Sequence, residues 1–193
     1  MIVLVRHAST DWSGVRYCGL ADPPLNDAGR AGANALAERV AALAGPDSRL
    51  ISSPRLRAVA TANAIATATG AAEPEIDDRW REVNVGAAEG LTFDEVASRW
   101  PDLATRLVAG EMDVAWPDGD PEGALTARVS GAWTELSDEP ATTTIVVTHG
   151  GPLRVALALA ASPAGRPWPI LPPGGMVALR HDIGGWHIDF GEP

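Results

Sequence analysis

Residues 2–7 read Ile2-Val3-Leu4-Val5-Arg6-His7, a short apolar run that ends in two residues able to carry positive charge. An uninterrupted run rich in β-branched residues predicts a strand that is buried on both faces, here residues 2–5. Strands of this kind belong to parallel sheets that carry helices on each side. The stretch therefore predicts a central strand that delivers Arg6 and His7 to one edge of a sheet.

The rest of the chain alternates predicted helices and strands. Asn26 is a suitable N-cap for a helix over residues 27–43, and Pro54 fits the first turn of a helix that Gly70 ends. The other predicted elements are strands at 50–52 and 144–148, helices at 121–136 and 153–161, and a terminal hairpin at 176–180 and 186–190 around Gly184-Gly185. This order predicts an α/β fold of three layers, α/β/α, with a mostly parallel central sheet and helices on both faces.

The length and composition indicate one domain over residues 1–193. The chain has 193 residues, of which 46% are hydrophobic, enough for one substantial core and too few for two ordinary domains. Residues 71–125 are less regular, and we expect residues 87–125 to form a small helical flap inserted in that domain. The apolar fraction excludes a disordered chain, and the single cysteine, Cys18, excludes a disulfide scaffold.

The charge of the chain limits its partners. Its 15 basic residues are all arginine and stand against 25 acidic residues, which gives a net charge of −10 at pH 7. An acidic surface repels nucleic acid and anionic lipid, so we expect neither nucleic acid nor membrane as a partner. No apolar run approaches the roughly 18 residues of a membrane span, and no secretory leader fits the first residues, which predicts a cytoplasmic protein. The oligomeric state stays open between a monomer and a homodimer.

Three predicted strands end in side chains that suit a phosphoryl group. They are Arg6 and His7 after the first strand, Ser53 and Arg57 after the second, and His149 after the strand at 144–148. Ligands of parallel α/β sheets bind beyond the carboxyl ends of the strands, so we expect these groups to meet there. Helices that begin just after Ser53 and Gly150 would point free N–H groups and positive dipole ends at the same place.

Taken singly, each of these residues has an ordinary structural explanation. A histidine after a strand is more often a hydrogen-bonded structural residue than a catalytic one. Arg57 alone would fit a solvated helix face, as would many of the other arginines. It is their joint placement at the strand ends that favours a functional site.

The same segments resemble the histidine phosphatase (phosphoglycerate mutase-like) superfamily. The matching blocks, in the family's order, are Leu4-Val5-Arg6-His7-Ala8-Ser9-Thr10, residues 16–19 and 22–30, Ser52-Ser53-Pro54-Arg55-Leu56-Arg57-Ala58 with Thr61-Ala62, Arg81-Glu82-Val83-Asn84-Val85-Gly86 with residues 89–92, and Val146-Val147-Thr148-His149-Gly150-Gly151. They cover most of the chain up to about residue 160, and together they are highly specific.

The resemblance implies a role for each residue of the central group. It implies that His7 is the nucleophile that becomes phosphohistidine. Arg6, Arg57 and His149 are then expected to bind the phosphoryl oxygens. Glu82 is expected to protonate the leaving group and later to deprotonate water. Neutral imidazole is a good nucleophile near pH 7, so a covalent intermediate on His7 splits a hard transfer into two easier steps.

The resemblance also supplies weaker candidates for phosphate or substrate binding. Ser13 stands where many members carry an asparagine that contacts phosphate, and its hydroxyl is expected to substitute. Cys18 and Gly19 lie in the loop beside the site, with Cys18 as a neighbour and not as a reactive thiol. Gly150 is expected at a helix N-terminus. Ala8 replaces the glycine most common in the family, a change of one methyl group.

No metal ion and no cofactor are expected. The chain has no His-Glu-x-x-His motif and no paired cysteines, and both strand-end histidines already have phosphate roles. His181 and His187 lie in the predicted hairpin, where we interpret them as ordinary sheet or surface residues.

The predicted function is hydrolysis of a small-molecule phosphate ester through phosphohistidine, without a metal. Residues 16–22 and 81–84 are most similar to the α-ribazole phosphatase branch, which belongs to cobalamin biosynthesis and shares these residues with broad-specificity phosphatases. Tryptophans of the flap could stack on an aromatic leaving group or simply pack the flap. The alternatives are a cofactor-dependent phosphoglycerate mutase and a non-catalytic phospho-ligand binder. The chain is short and has no lysine, and Arg99 and Arg106 are the only basic residues of 87–125, which favours hydrolysis over the mutase.

Overall fold

The computed structural model of the chain describes residues 1–111, 113–138, 143–161 and 170–190. Single turns of 3-10 helix lie at Asp78–Trp80 and Gly86–Ala88. The helices and strands are β1 (Ile2–Arg6), α1 (Asp27–Ala41), β2 (Arg49–Ser52), α2 (Leu56–Thr69), β3 (Glu75–Ile76), α3 (Phe93–Arg99), α4 (Pro101–Val108), α5 (Ala124–Asp138), β4 (Thr144–Thr148), α6 (Gly150–Ala160), β5 (Met176–Asp182) and β6 (Gly185–Asp189).

The six strands form one mixed sheet in the order β3-β2-β4-β1-β5-β6. β3, β2, β4 and β1 run parallel, whereas β5 is antiparallel to β1 and β6 is antiparallel to β5. The predicted mostly parallel sheet and the predicted C-terminal hairpin are both confirmed. As a result, the carboxyl ends of β2, β4 and β1 lie side by side at one edge of the sheet.

Two hydrophobic cores, one on each face of the sheet, hold the layers together. Leu4 of β1 packs in one core with Val129 of α5 and Leu153 of α6. Val3, its neighbour in the strand, packs in the other core with Leu36 of α1. Because neighbouring residues of a strand point to opposite faces, this arrangement confirms that β1 is buried on both sides. Among the helices described, none has both the length and the apolarity to cross a membrane.

Helix α6 begins at Gly150, earlier than the predicted start at residue 153. His149 is extended and serves as the N-cap residue. The sequence Gly150-Gly151-Pro152 suggests a turn, but Pro152 is tolerated in the first turn of a helix because its missing N–H would have had no acceptor there. The first amide groups of α6 therefore follow His149 directly.

Helix α2 begins at Leu56, two residues after the predicted first turn at Pro54. The N-cap residue Arg55 offers no side-chain cap. Instead, Oδ1 of Asp22 accepts a hydrogen bond from Leu56 N at 2.7 Å, a contact between positions far apart in the chain that no local pattern reveals. The remaining differences are small: α1 ends at Ala41 instead of residue 43, and α5 spans Ala124–Asp138 instead of 121–136.

The interval predicted as a flap, residues 87–125, contains α3 and α4 and reaches the start of α5. The short helices expected there are confirmed. Val96, Leu103 and Trp116 are buried in a hydrophobic cluster of this region, separate from the two cores on the sheet. By contrast, Trp80 is fully buried in the core beneath α5 and α6.

Two glycines of α1 provide a test of how tightly the loop after β1 packs. A Cβ built on Gly29 would lie 2.0 Å from the carbonyl oxygen of Ser9, whereas a Cβ on Gly32 would meet open space. We expect Gly29→Ala to lower the free energy of unfolding by about 1–3 kcal/mol, because the backbone must move apart. Gly32→Ala should raise it by up to about 1 kcal/mol through helix propensity alone. Urea denaturation of both variants checks this, and equal effects would contradict the close packing.

Candidate active site

The ends of β1 and β4 bring the two predicted histidines together. His7 follows β1 and His149 follows β4, and His7 N donates to Thr148 O at 2.9 Å between the strands. The ring centroids of His7 and His149 are 5.0 Å apart, with an interplanar angle of 59°. This confirms the prediction that the two rings lie close together. They do so because the residues just before them, Arg6 and Thr148, are register partners of adjacent parallel strands.

The hydrogen bonds of His7 define its tautomer. Nδ1 lies 2.7 Å from Ala8 O, which can only accept, so Nδ1 carries the proton. Nε of Arg57 donates to the other ring nitrogen, Nε2, over a long 3.3 Å. Burial, with Arg57 and Arg6 nearby, lowers the pKa of His7 to about 3. His7 is consequently neutral near pH 7 and has an unprotonated Nε2, the form in which imidazole can act as a nucleophile.

Arg57 is fully buried and is held by main-chain carbonyls of the loop after β1. Its Nη1 donates to Ala21 O at 2.7 Å and its Nη2 donates to Gly19 O at 3.1 Å. The nearest carboxylate, on Asp22, lies 3.7 Å away. A Cβ on Gly19, whose φ is +49°, would lie 2.6 Å from Val85, so the loop requires glycine there. Gly19 thus anchors the cation through its carbonyl.

Arg6 supplies a second guanidinium beside the ring of His7. Its Nη1 donates to Leu171 O at 2.6 Å, and its buried Nε has no hydrogen-bond partner among the residues described. Burial lowers the pKa of Arg6, while the Glu82 carboxylate acts in the opposite direction. A Cβ on Gly150 would lie 3.6 Å from the guanidinium carbon, so the start of α6 packs closely against this cation.

His149 is fully buried and is oriented by a serine. Its Nε2 lies 2.7 Å from Oγ of Ser53, and its buried Nδ1 has no partner in the part of the chain that the structure describes. Burial, His7 and Arg57 hold the pKa of His149 well below its ordinary value. Because Nδ1 is buried, the expected contact of His149 with a phosphoryl group stays a prediction. The first amide groups of α6 follow His149 directly, and helix N-termini of this kind bind anions.

Glu82 reaches the site from the segment after the 3-10 turn at Asp78–Trp80. Its Oε1 accepts from Val83 N at 3.0 Å and lies 2.6 Å from the position that a Cβ on Gly151 would occupy. Gly151 therefore makes room for the carboxyl group. The segment is tied to β4 because Thr148 Oγ1 donates to Trp80 O at 2.7 Å.

Thr61 of α2 connects the loop that follows His7 to the backbone of Arg57. Its hydroxyl accepts from Ala8 N at 3.1 Å and donates to Arg57 O at 2.7 Å. The sequence comparison with the family included Thr61 without a role. One hydroxyl here links the peptide that follows His7 to the backbone of Arg57.

A pocket of about 260 Å³ opens in front of these groups. Its inner end is lined by Arg6, His7, Arg57 and Glu82. The apolar residues that line the rest of the pocket, called here its outer wall, are Trp12, Tyr17, Val83, Val85, Leu107, Trp116 and Ile170. Trp116 belongs to the predicted flap, but Trp12 and Tyr17 lie before it and were missed by sequence reasoning. Their position in the same loop as Cys18 was the signal that could have found them.

The weaker candidates also line this pocket. Ser13, Cys18, Gly19 and Gly150 all contribute to its wall. Oγ of Ser13 accepts from Thr10 N at 2.9 Å, so its hydroxyl is already engaged in a turn of its own loop. Burial raises the pKa of the Cys18 thiol, which is consistent with an unreactive neighbour of the site.

Comparison with known proteins identifies relatives of the chain. A model of the histidine phosphatase superfamily (branch 1) matches residues 2–191. Phosphoglycerate mutase-like protein 4 of Arabidopsis thaliana is 35% identical over 156 residues, which cover 79% of this chain and 67% of that protein.

Two solved structures show the same fold. A mycobacterial glucosyl-3-phosphoglycerate phosphatase, solved with VO3, superposes with a TM-score of 0.82 and is 26% identical, covering 97% of this chain and 96% of its own. A candidate alpha-ribazole-5′-P phosphatase of Escherichia coli K-12 also gives a TM-score of 0.82, over 98% of this chain and 94% of its own. At 20% identity, this second likeness is evidence of the fold alone.

The lowered pKa of His7 predicts a dependence of stability on pH. The unfolded histidine binds a proton below about pH 6.5 whereas the folded one stays neutral, so stability is present above that pH and is lost as pH falls. From about pH 7 to about pH 5, His7 should account for a loss of about 2 kcal/mol in the free energy of unfolding. The free energy of unfolding of His7→Asn, measured by urea denaturation at both pH values, should therefore fall less between them than that of the unmodified protein, by about 2 kcal/mol. Equal losses would contradict a neutral buried His7.

Proposed function

The chain belongs to the histidine phosphatase superfamily, and from that premise we propose that it is a phosphomonoesterase that acts through a phosphohistidine on Nε2 of His7 and needs no metal ion. The observation that carries the proposal is the state of that ring. Nδ1 donates to Ala8 O and Nε2 faces Arg57 Nε with its lone pair free of a proton. A nucleophile and a cation for the phosphoryl oxygens are thus in contact before substrate binds.

In the first step, the lone pair of His7 Nε2 attacks phosphorus and the ester P–O bond breaks. The electron pair of that bond goes to the leaving oxygen, which takes the proton of the Glu82 carboxyl group. In the second step, water attacks phosphorus, Glu82 takes a proton from the water, and the N–P bond breaks. Inorganic phosphate leaves, and the electron pair returns to Nε2. The bond from Nδ1–H to Ala8 O keeps the ring oriented throughout.

The charge of the transferring phosphoryl group is met by groups of the chain itself. The guanidinium groups of Arg6 and Arg57 line the inner end of the pocket. At a distance of ~4 Å and an effective dielectric constant near 20, each cation contributes on the order of 4 kcal/mol before desolvation is counted. Because these cations already supply the charge stabilisation that a metal ion would provide, the proposed reaction needs none.

The outer wall of the pocket supports an aromatic leaving group. Tyr17 and Trp116 pack edge to face with their centroids 5.2 Å apart, and Trp12 lines the same wall. Aromatic walls of this kind stack on flat rings. Together with the resemblance of residues 16–22 and 81–84 to the α-ribazole phosphatase branch, they make α-ribazole 5′-phosphate our proposed substrate.

One observation favours the alternative, a mutase acting on a phosphorylated carboxylic acid. Arg154 of α6 lines the pocket, and its Nη2 donates to Gly110 O at 3.0 Å. Within the described ranges, no carboxylate lies within ion-pair distance of its guanidinium. A carboxylate on the leaving group would provide the missing partner.

The covalent intermediate can be trapped directly. Rapid quenching during hydrolysis of p-nitrophenyl phosphate should yield a phosphoenzyme that is labile in acid and stable in base, as expected for an N–P bond. His7→Ala should abolish both the phosphoenzyme and phosphate release. Excess chelator should leave the rate unchanged. Loss of activity in chelator, with His7→Ala still active, would overturn the proposal.

The substrate proposal is tested by a comparison of phosphate release and phosphate transfer. We expect release from α-ribazole 5′-phosphate with a kcat/KM at least about tenfold above that for 3-phosphoglycerate, since each 1.4 kcal/mol of differential binding is worth that factor. A mutase would instead convert 3- to 2-phosphoglycerate faster than it releases phosphate. That result would replace α-ribazole phosphate and hydrolysis with the alternative function.

A further inference from the structure

Arg128 of α5 binds the segment that carries Glu82, although the two residues are 46 positions apart. Nη1 of Arg128 donates to Arg79 O at 2.8 Å and to Arg81 O at 2.7 Å. Nη2 donates to Glu82 O at 3.2 Å. One guanidinium therefore binds three carbonyl oxygens within four consecutive residues.

The hydrogen bonds of Arg128 go to these carbonyls, while one carboxylate lies at ion-pair distance. Its side chain is 14% exposed, and the carboxylate of Asp120 lies 3.9 Å away, beyond hydrogen-bond distance. Asp120 itself accepts from Asn84 N at 3.0 Å and lies 3.3 Å from Nη1 of Arg81. The side chains of Arg128 and Asp120 thus bind the backbone on either side of Glu82.

From these contacts we propose that Arg128 is a positioning residue for the Glu82 carboxyl group, an inference that rests on the proposed function. The two peptide groups that flank the Cα atom of Glu82 present their oxygens, Arg81 O and Glu82 O, to the same guanidinium. Fixing both peptide groups fixes the direction in which the side chain of Glu82 leaves the backbone. The carboxyl group is then held between Val83 N and the space left by Gly151.

The consequence is a dependence on the leaving group. A residue that acts through the general acid matters when the leaving oxygen needs a proton, as in phenyl phosphate. It matters little for p-nitrophenyl phosphate, whose weakly basic phenolate departs without one. The ratio kcat/KM isolates this effect, because it covers the steps only up to departure of the leaving group.

The test is kcat/KM of Arg128→Gln on this pair of substrates, which have nearly the same shape. We expect a loss of about 10- to 100-fold on phenyl phosphate and of less than about threefold on p-nitrophenyl phosphate, as for a misplaced general acid. Arg79→Gln is the matched control, since it removes the same charge close to Glu82, from the segment that Arg128 binds, but its side chain binds Asp77 and Glu135. The kcat/KM of this control should fall by the same small factor on both substrates.

A double variant separates positioning from general damage. If Arg128 acts through Glu82, adding Arg128→Gln to Glu82→Gln should cause no further loss on phenyl phosphate, whereas a merely structural role adds its own loss. Should Arg128→Gln fail to fold, Arg128→Lys is the second variant, because it keeps the charge but lacks the planar group that binds three carbonyls. Its kcat/KM is expected to fall more on phenyl phosphate than on p-nitrophenyl phosphate, by a smaller factor than in Arg128→Gln.

The outcomes distinguish this inference from the proposed function. Equal losses on both substrates, or an additive double variant, overturn the positioning role of Arg128. Leaving-group dependence in Glu82→Gln but not in Arg128→Gln overturns that role alone. If Glu82→Gln itself shows no such dependence, the assignment of the acid is wrong and the inference falls with it.

Discussion

The contact between the buried guanidinium of Arg57 and the bare ring nitrogen of His7 is the interaction on which the rest of this site depends. A cation at 3.3 Å from Nε2 helps to keep a proton off the ring, and in the proposed function it also binds phosphoryl oxygens. Burying an unpaired charge is costly unless its donors find acceptors. The carbonyls of Gly19 and Ala21, in the loop after β1, accept the hydrogen bonds of Arg57. The conformation of this loop therefore stabilises the buried cation.

A second arginine, Arg128, is also held by main-chain carbonyls. The segment 79–84 has little regular secondary structure, so its carbonyls are free to accept hydrogen bonds, and Arg128 binds three of them. Arginine suits both places because its planar group offers five donors in a fixed geometry. The chain is acidic overall, with a net charge of −10, yet it lines the inner end of its pocket with cations. Buried contacts outweigh a dispersed surface charge that salt screens.

Much of the fold and part of the site could be predicted from local patterns. The apolar runs of β1 and of the strand before His149, and the two strands and the turn of the terminal hairpin, are patterns that one short segment contains by itself. The early start of α6 and the late start of α2 were missed, because Pro152 is tolerated in a first turn and the cap of α2 comes from distant Asp22. The space that Gly151 leaves for Glu82 and the linking role of Thr61 could not be found, since their partners lie far away in the chain. Trp12 and Tyr17 were missed although they stand in the same loop as Cys18.

The sequence by itself determined the fold class, the delivery of Arg6, His7 and His149 to one sheet edge, and the family resemblance that singles out Glu82. These three conclusions follow from the order of the residues and from patterns within short segments, which can be read without the folded structure. Only the tertiary structure decided which nitrogen of His7 bears the proton, what anchors Arg57 and where the Glu82 carboxyl group lies. Tautomer, burial and anchoring depend on hydrogen bonds between residues brought close by packing, and such distances do not exist in the unfolded chain.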